Sequence, residues 1–405
     1  MDLKDTPELA EYRQRVRAWL DEHRHEGRDD TVEHHRQWQR TLAEAGYAAV
    51  TWPAEYGGQG LGPLHQVVLN QEMSRVGTPG LFDVIGVGML GPTLIAHGSE
   101  DQKQRHLGPM LAADEVWCQL FSEPAAGSDL AAVQTRAKRQ DDGSWRVSGQ
   151  KVWTTNAQHA AYGLLLARTD PGVPKHKGLT MFVLPMDAEG VSVRPLRQIS
   201  GDAHFNEVFL DDVHLEPGSE VGPVDGGWGV AMTTLMFERV AIGLGGEGFG
   251  WRADRFATVL VEDEAATADR EVRHRFGAIA SEFLALRFTG FRALTTLQRG
   301  GVPGPEAALA KVTTVRAAIA AGELIVDALG PGALETGKAG QLVSDMPGIK
   351  SAGGTEEILR SMVGERVLGL PPEPRLDKGV PFAELRSRER QAVASEVVAS
   401  VSETG

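Results

Sequence analysis

Apolar residues between Leu9 and about Met110 recur at the three-to-four-residue spacing of helices, as in Val16 and Leu20 and again in Val67, Leu69 and Met73. The turn-rich run Trp52-Pro53-Ala54-Glu55-Tyr56-Gly57-Gly58 breaks that period, so the pattern predicts several helices in sequence. After Glu115 the texture changes. The segments WRVSGQKVWTT, YGLLLART, GLTMFVLPM, VSVRPL and NEVFLDDVHL are short, rich in β-branched residues and partly alternating, with Gly, Pro and Asp turns between them. They predict an antiparallel β domain. From Trp228 the helical period returns in WGVAMTTLMFERVAIGLG, in DREVRHRFGAIASEFLALRFTGFRALTTL and in PEAALAKVTTVRAAIAAGELIVDALG, the last opened by Pro305 and closed by Gly330. The expected class is therefore α+β, mainly α. It divides into an N-terminal helical domain at 1–115, a central antiparallel β domain at 116–226, a C-terminal helical bundle at 227–385 and a charged tail at 386–405.

Composition narrows the function. Lysine and arginine number 41 against 55 acidic residues, a net charge of −14 over 405 residues, which argues against a phosphate-backbone partner such as nucleic acid. No apolar run approaches the roughly 18 residues of a membrane span, and the charged N-terminus lacks the apolar stretch of a secretory signal. The single cysteine, Cys118, excludes an intrachain disulfide and any cysteine-rich metal site and fits a reducing compartment, so a cytoplasmic location is expected.

Several motif-like features carry little. Gly243-Leu244-Gly245-Gly246-Glu247-Gly248 has the letters of a dinucleotide loop but follows a helical segment instead of a strand, and helix-packing glycines account for it better. His23, His25, His34 and His35 stand in a strongly charged segment without cysteine, which reads as a solvated face, and no metal site is expected. GxSxG, HExxH and Walker loops do not occur.

The informative stretch is Gln119-Leu120-Phe121-Ser122-Glu123-Pro124-Ala125-Ala126-Gly127-Ser128-Asp129, followed by Gly149-Gln150-Lys151-Val152-Trp153-Thr154-Thr155-Asn156. It supplies a Pro/Gly turn whose N–H groups can face an anion, hydroxyl groups, and an aromatic plane beside two threonines, parts that suit a flat ring joined to a phosphate. An ordinary turn and edge strand with an incidental tryptophan would look the same.

The runs FSEPAAGSD, GQKVWTTNA, FNEVFLDDVHLEPGSEVG and GGTEEILRSMVGERVLGLP, in this order along nearly the whole chain, resemble the acyl-CoA dehydrogenase family. The resemblance implies an N-terminal helical domain, a central β domain and a C-terminal four-helix domain, with FAD between them. It implies that Phe121 and Ser122 meet the flavin, that Gly127 and Ser128 border its pyrophosphate and the acyl-CoA, that Trp153 lies along the isoalloxazine, and that Thr154 and Thr155 hydrogen-bond near N5. The implied reaction removes an α-proton and a β-hydride from a thioester, giving a trans-2-enoyl-CoA, with an electron-transfer flavoprotein as electron acceptor.

Two departures from the family pattern matter. Many members carry the base as a Glu before the Gly-Thr of the C-terminal motif, where this chain has Gly353; that glycine could still offer its N–H to the thioester carbonyl. Glu356 and Glu357 lie beyond it, at a helix start that favours acidic residues. A minority of the family places the base on the first C-terminal helix in a Glu-Arg pair, and Glu238-Arg239 stands at the matching position; Glu238 is the expected base and Arg239 a neighbour for substrate. The second departure is at the adenine end of FAD. Relatives with four identical subunits use Arg-x-x-Phe-Gly and a Gln to reach a neighbouring subunit's cofactor. Here Arg273-His274-Arg275-Phe276-Gly277 is expected inside a helix and Asp327 stands where the Gln is expected, so FAD binding is expected to be altered or shared with a different subunit. The chain is expected to be a homo- or hetero-oligomer. The alternatives are a non-catalytic half-site subunit of a heteromeric enzyme and a flavin monooxygenase on the same fold.

Overall fold

The computed structural model describes residues 5–23, 31–243, 252–298, 308–335, 337–375 and 377–388, without the side chains of 239–243, 293–294 and 297–298. Among the described residues five α-helices come first: α1 (Pro7–Glu22), α2 (Val32–Glu44), α3 (Pro63–Val76), α4 (Gly91–His97) and α5 (Glu100–Leu111). Their ends follow from the sequence. Thr6 caps α1 by accepting from the Leu9 N–H at 3.3 Å, with Pro7 in the first turn, and Ser99 and Gln102 form a reciprocal capping box on α5. Buried Leu9, Tyr12, Val16 and Leu20 mark one face of α1, which packs on α3. At that contact the Glu72 carboxylate, its side chain 3% exposed, accepts from Arg13, Arg17 and Arg75.

Eight strands follow: β1 (Trp117–Leu120), β2 (Arg136–Arg139), β3 (Trp145–Thr155), β4 (Tyr162–Arg168), β5 (Leu179–Pro185), β6 (Val191–Leu196), β7 (Phe205–Leu215) and β8 (Glu220–Val221). They form one sheet in the order β6-β7-β3-β2-β4-β5-β8, with β1 beside β4. Most pairs are antiparallel, as expected; β1 and a single position of β2 run parallel to β4. Buried Cys118, Leu120, Trp145, Leu165, Phe182 and Val208 pack together on one side, whereas Trp117, Leu164, Leu166 and Met181 join the core of the helical region.

The third part opens with α6 (Gly227–Gly243), laid on β5. A Cβ on Gly227 would come within 2.7 Å of the Thr180 backbone, so this close approach requires glycine. Hydrogen bonds fasten α6 to α4, Thr93 Oγ1 to Thr234 Oγ1 at 3.1 Å and His97 Nε2 to Thr233 Oγ1 at 2.8 Å. Then come α7 (Ala253–Leu260), α8 (Glu264–Ala268), α9 (Arg270–Gln298), α10 (Ala308–Leu329), α11 (Lys338–Ile349) and α12 (Glu356–Arg366). Contrary to the sequence expectation, α10 with the turn after it, Ala308–Leu334, is long and apolar enough to cross a membrane. Its Val315, Ala318, Ala321, Leu324 and Ile325 are buried against α9 and α11, which is a core helix's use of the same composition.

Residues 382–388, expected to straddle the bundle end and a tail, are helical and return to the sheet. The Phe382 and Ala383 N–H groups donate to Val173 and Pro171 carbonyls at 2.9 Å, and the Arg168 guanidinium lies 3.9 Å from the Phe382 ring centroid.

Candidate active site

Two of the sequence motifs meet. The Val152 N–H donates to the Ser122 carbonyl at 2.9 Å, which lays β3 against the segment leaving β1. Beneath that contact Lys151, 0% exposed, spends its ammonium protons on the Phe121 carbonyl at 3.0 Å, the Leu166 carbonyl at 2.8 Å and Glu123 Oε1 at 2.8 Å. Glu123 also accepts from the Gln134 and Thr135 N–H groups at 2.6 and 2.9 Å. Burial would push its carboxyl up, but Lys151 and these N–H groups outweigh it and hold the carboxyl below its ordinary value. Glu123 and Ala126 close a turn by exchanging N–H···O bonds at 3.0 Å, and past it Gly127 and Ser128 are exposed, with open space where a Cβ on Gly127 would stand.

The β3–β7 register slips between Lys151 and Thr154, and inside that bulge Trp153 holds φ at 60° with its side chain at the surface, 60% exposed. Its ring meets Phe205 edge-on at 6.0 Å, and Phe205 lies opposite Thr155, so Trp153 and Thr155 share a face. Thr154 does not. It is 1% exposed, pairs with fully buried Asn206, and has a buried Oγ1 without a partner. Strand alternation thus separates the two expected threonines, leaving Thr155 beside the tryptophan and turning Thr154 inward.

The second group stands on the C-terminal helices. Glu238 is half-buried on α6; Arg239 follows it on the same helix with its side chain outside the described residues. Gly353 and Gly354 turn at φ values of 65° and 88° before Thr355 caps α12. Lys311, 6% exposed on α10, donates to the Ala352 carbonyl, and the Glu238 and Glu356 carboxylates both act on its charge. Glu356 is engaged by Arg360 one turn along α12, the structural use expected at a helix start. Beside Ser128 a cavity of about 1040 Å³ is lined by Lys175, His176, Trp228, Ile358 and Arg375.

Sequence reading gave no role to Lys151, Glu123, Lys311 or Asp83. Asp83 is 1% exposed and accepts from Gly86 N–H at 2.8 Å and Trp117 N–H at 3.0 Å; burial pushes its carboxyl up to about 7 against those bonds. It anchors a π-helical turn at Gly86–Leu90, a form frequent near functional sites. The glycine run after Gly243 and His25 lie outside the described residues.

The adenine-end letters are used internally. Arg273 donates from α9 to the Thr267 and Ala268 carbonyls at 2.6 and 2.7 Å, closing α8, and Arg275 meets Asp327 at 2.8 Å.

An exposed aromatic plane, an adjacent threonine, the half-buried Ser122 and the open Gly127 turn fit a ring-and-pyrophosphate cofactor, since the Ser122 and Thr155 hydroxyls take no part in the bonds that join the two segments. Residues 6–114, 118–213 and 225–368 match the acyl-CoA dehydrogenase N-terminal, middle and C-terminal domains. The chain is 40% identical over 336 residues to acyl-CoA dehydrogenase FadE34 of Mycobacterium tuberculosis; this covers 82% of the chain and 46% of FadE34, so the chain spans about half of that relative. It is 36% identical over 391 residues to acyl-CoA dehydrogenase IpdE1 of the same organism, covering 91% of this chain and 99% of IpdE1. Among solved structures, a Tcur3481-Tcur3483 steroid ACAD matches with a TM-score of 0.78 at 30% identity, over 92% of this chain and 100% of that one. The ChsE4-ChsE5 complex from Mycobacterium tuberculosis matches with a TM-score of 0.77 at 28% identity and the same coverage. The chain belongs to the acyl-CoA dehydrogenase family, a family of flavoprotein oxidoreductases.

Proposed function

We propose that the protein dehydrogenates an acyl-CoA thioester between its α and β carbons, giving the trans-2-enoyl-CoA, and passes the electrons to an electron-transfer flavoprotein in the cytoplasm. The observation that carries this reading is the junction of the Phe121–Ser128 turn with the Lys151–Thr155 strand, which presents Trp153 and Thr155 on one face. Phe121, Ser122, Trp153 and Thr155 would hold the isoalloxazine of FAD, with Gly127 and Ser128 toward the pyrophosphate. Bound there, FAD supplies a hydride acceptor. Glu238 takes the α-proton: it is a half-buried carboxylate on α6, whereas Gly353 offers no side chain and Glu356 is held by Arg360. The Gly353 N–H steadies the thioester carbonyl as charge builds on it, and Arg239 and Ser128 meet the CoA portion.

For the substrate, the likeness to a steroid ACAD supports a bulky acyl group, a steroid side chain ahead of a straight fatty chain. Anaerobic titration with straight-chain, branched and steroid acyl-CoAs, following the oxidised flavin band, tests this. Bleaching by steroid thioesters supports the reading, and a flavin that no thioester reduces refutes it.

A second reading keeps the chemistry but makes the chain one half of a heteromer. The two-protein titles of the similar structures favour it. Co-purification with a second acyl-CoA dehydrogenase chain, and flavin retention only in its presence, would distinguish this form from a homo-oligomer.

A further inference from the structure

Although the chain carries a net charge of −14, five cations line one cavity of about 910 Å³. Arg136, Lys138 and Arg139 come from β2, Arg168 from the end of β4 and Arg386 from the segment that returns to the sheet. Among the described residues Asp225 is the one acidic group on its wall, and Asp225 accepts from the Thr169 hydroxyl at 2.5 Å. Strand pairing makes two of the cations neighbours: Arg136 stands directly opposite Arg168 where β2 meets β4, and like charges at facing strand positions repel. Arg168 is 3% exposed, and burial lowers its guanidinium to about 10, which leaves it charged at neutral pH. It donates to the Lys175 carbonyl at 2.7 Å and to the Ala131 and Val133 carbonyls, and its guanidinium lies over the Phe382 ring, so its hydrogen bonds go to neutral groups. Among the described residues its buried Nε has no hydrogen-bond partner. The carboxylates whose charge reaches it are engaged elsewhere: Glu123 by Lys151, Asp129 by Lys175 at 2.6 Å and Asp170 by the Gly172 N–H at 2.7 Å.

We propose that this cavity binds a small phosphate-bearing anion, held by the facing pair Arg136 and Arg168 from the sheet and by Arg386 from the returning C-terminal segment. A buried cation without a counter-charge is costly, and an entering anion offsets that cost. Guanidinium forks match phosphate oxygens in geometry as well as charge. Strand alternation places Lys138 on the same face as Arg136, with the buried Ala137 turned the other way, so the anion meets a row of cations. The volume exceeds what one inorganic phosphate fills and suits a diphosphate or a phosphorylated nucleoside. Arg386 also donates to Gln134 Oε1 at 2.9 Å, just before β2, so a bound anion fastens the C-terminal segment to the sheet. None of Phe121, Ser122, Gly127, Ser128, Trp153 and Thr155 lines the cavity, which makes it separate from the flavin face and independent of the dehydrogenase reading.

Isothermal titration of the purified full-length protein with inorganic pyrophosphate tests this, in about 150 mM NaCl so that loose surface attraction is screened. One site per chain is expected to fill with a dissociation constant below about 1 mM. Arg136→Gln combined with Lys138→Gln removes two exposed cations and leaves the core untouched; it is expected to weaken binding at least about tenfold. Arg15→Gln combined with Lys338→Gln removes the same charge from exposed pairs with Glu11 and Glu262, and its affinity stays within about twofold of the wild type. Arg168→Gln abolishes binding; since it also costs the bonds to three carbonyls, its melting curve is recorded alongside, and the β2 pair decides the matter if it does not fold. Adenosine 3′,5′-bisphosphate, titrated in the same way, separates the two sources of the phosphate: tighter binding than pyrophosphate assigns the site to a phosphorylated nucleoside, weaker binding to a simple diphosphate. The absence of saturable binding overturns the proposal. So does an affinity that the β2 pair leaves unchanged, which would put the anion at the Gly127 turn, or one that the control pair lowers equally, which would make the attraction a matter of net charge.

Discussion

Trp153 is held at φ 60° with 60% of its surface exposed, so the chain bears strain and surface apolar area at one residue. A non-glycine residue in the left-handed region costs about 1–2 kcal/mol, and an exposed ring recovers little of it by burial. Trp153→Gly is therefore expected to leave the flavin-free protein as stable as the wild type or slightly more so, while weakening flavin retention; melting curves with and without added FAD check both halves. Lys151 gives the opposite outcome. Lys151→Met leaves the Glu123 carboxylate without its buried cation, and breaking such a pair costs about 3–5 kcal/mol, so the variant is expected to melt well below the wild type or to accumulate poorly. The two residues differ in how legible they are. Trp153 and Thr155 stand out because their motif is contiguous, but nothing in the motif says that Thr154 faces inward, since that depends on a bulge set by pairing with β7. Lys151 lies 28 residues from Glu123, and Lys311 reads as one polar position in an alanine-rich helix, so only the folded chain reveals what either one meets.

Elements were largely legible because period and alternation record which faces are buried. The breaks around Gly57, Glu115 and Trp228 coincide with changes between helices, from helix to strand and from strand to helix. What pattern could not supply was partnership: β1 runs parallel to a strand some 45 residues later, and the helical segment 382–388 folds back on the sheet, both decided by contacts distant in sequence. The contact of α1 with α3 carries a prediction with a pH signature. Burial would raise the Glu72 carboxyl, but hydrogen bonds from Arg17, Arg75 and Arg13 bring it down to about 2 from an ordinary 4.5. A carboxyl lower in the folded than in the unfolded chain stabilises above its unfolded value and ceases to do so as pH falls through the folded one. Glu72→Gln is thus expected to lower the melting temperature at pH 7 and to approach the wild type between pH 4.5 and 2, as melting curves across that window would show.

At the scale of the whole molecule, the proposed site draws on the sheet for its flavin face and on the helical bundle for Glu238 and the glycine turn, while the N-terminal helices are bonded to α6 through Thr93 and His97. Trp153 on β3 and Ile199 between β6 and β7 are exposed apolar side chains that a second subunit would cover under the proposed reading. Light scattering of the active, yellow protein is expected to exceed the 43.6 kDa chain mass, and a fully active monomer would contradict this. The central claim is that Glu238 removes the α-proton, and stopped-flow anaerobic reduction of Glu238→Gln tests it most directly. Gln retains the shape and loses the base, so flavin bleaching by a saturating acyl-CoA is expected to slow about 100- to 10,000-fold while FAD and acyl-CoA still bind. Bleaching at the wild-type rate would place the base elsewhere and contradict the account.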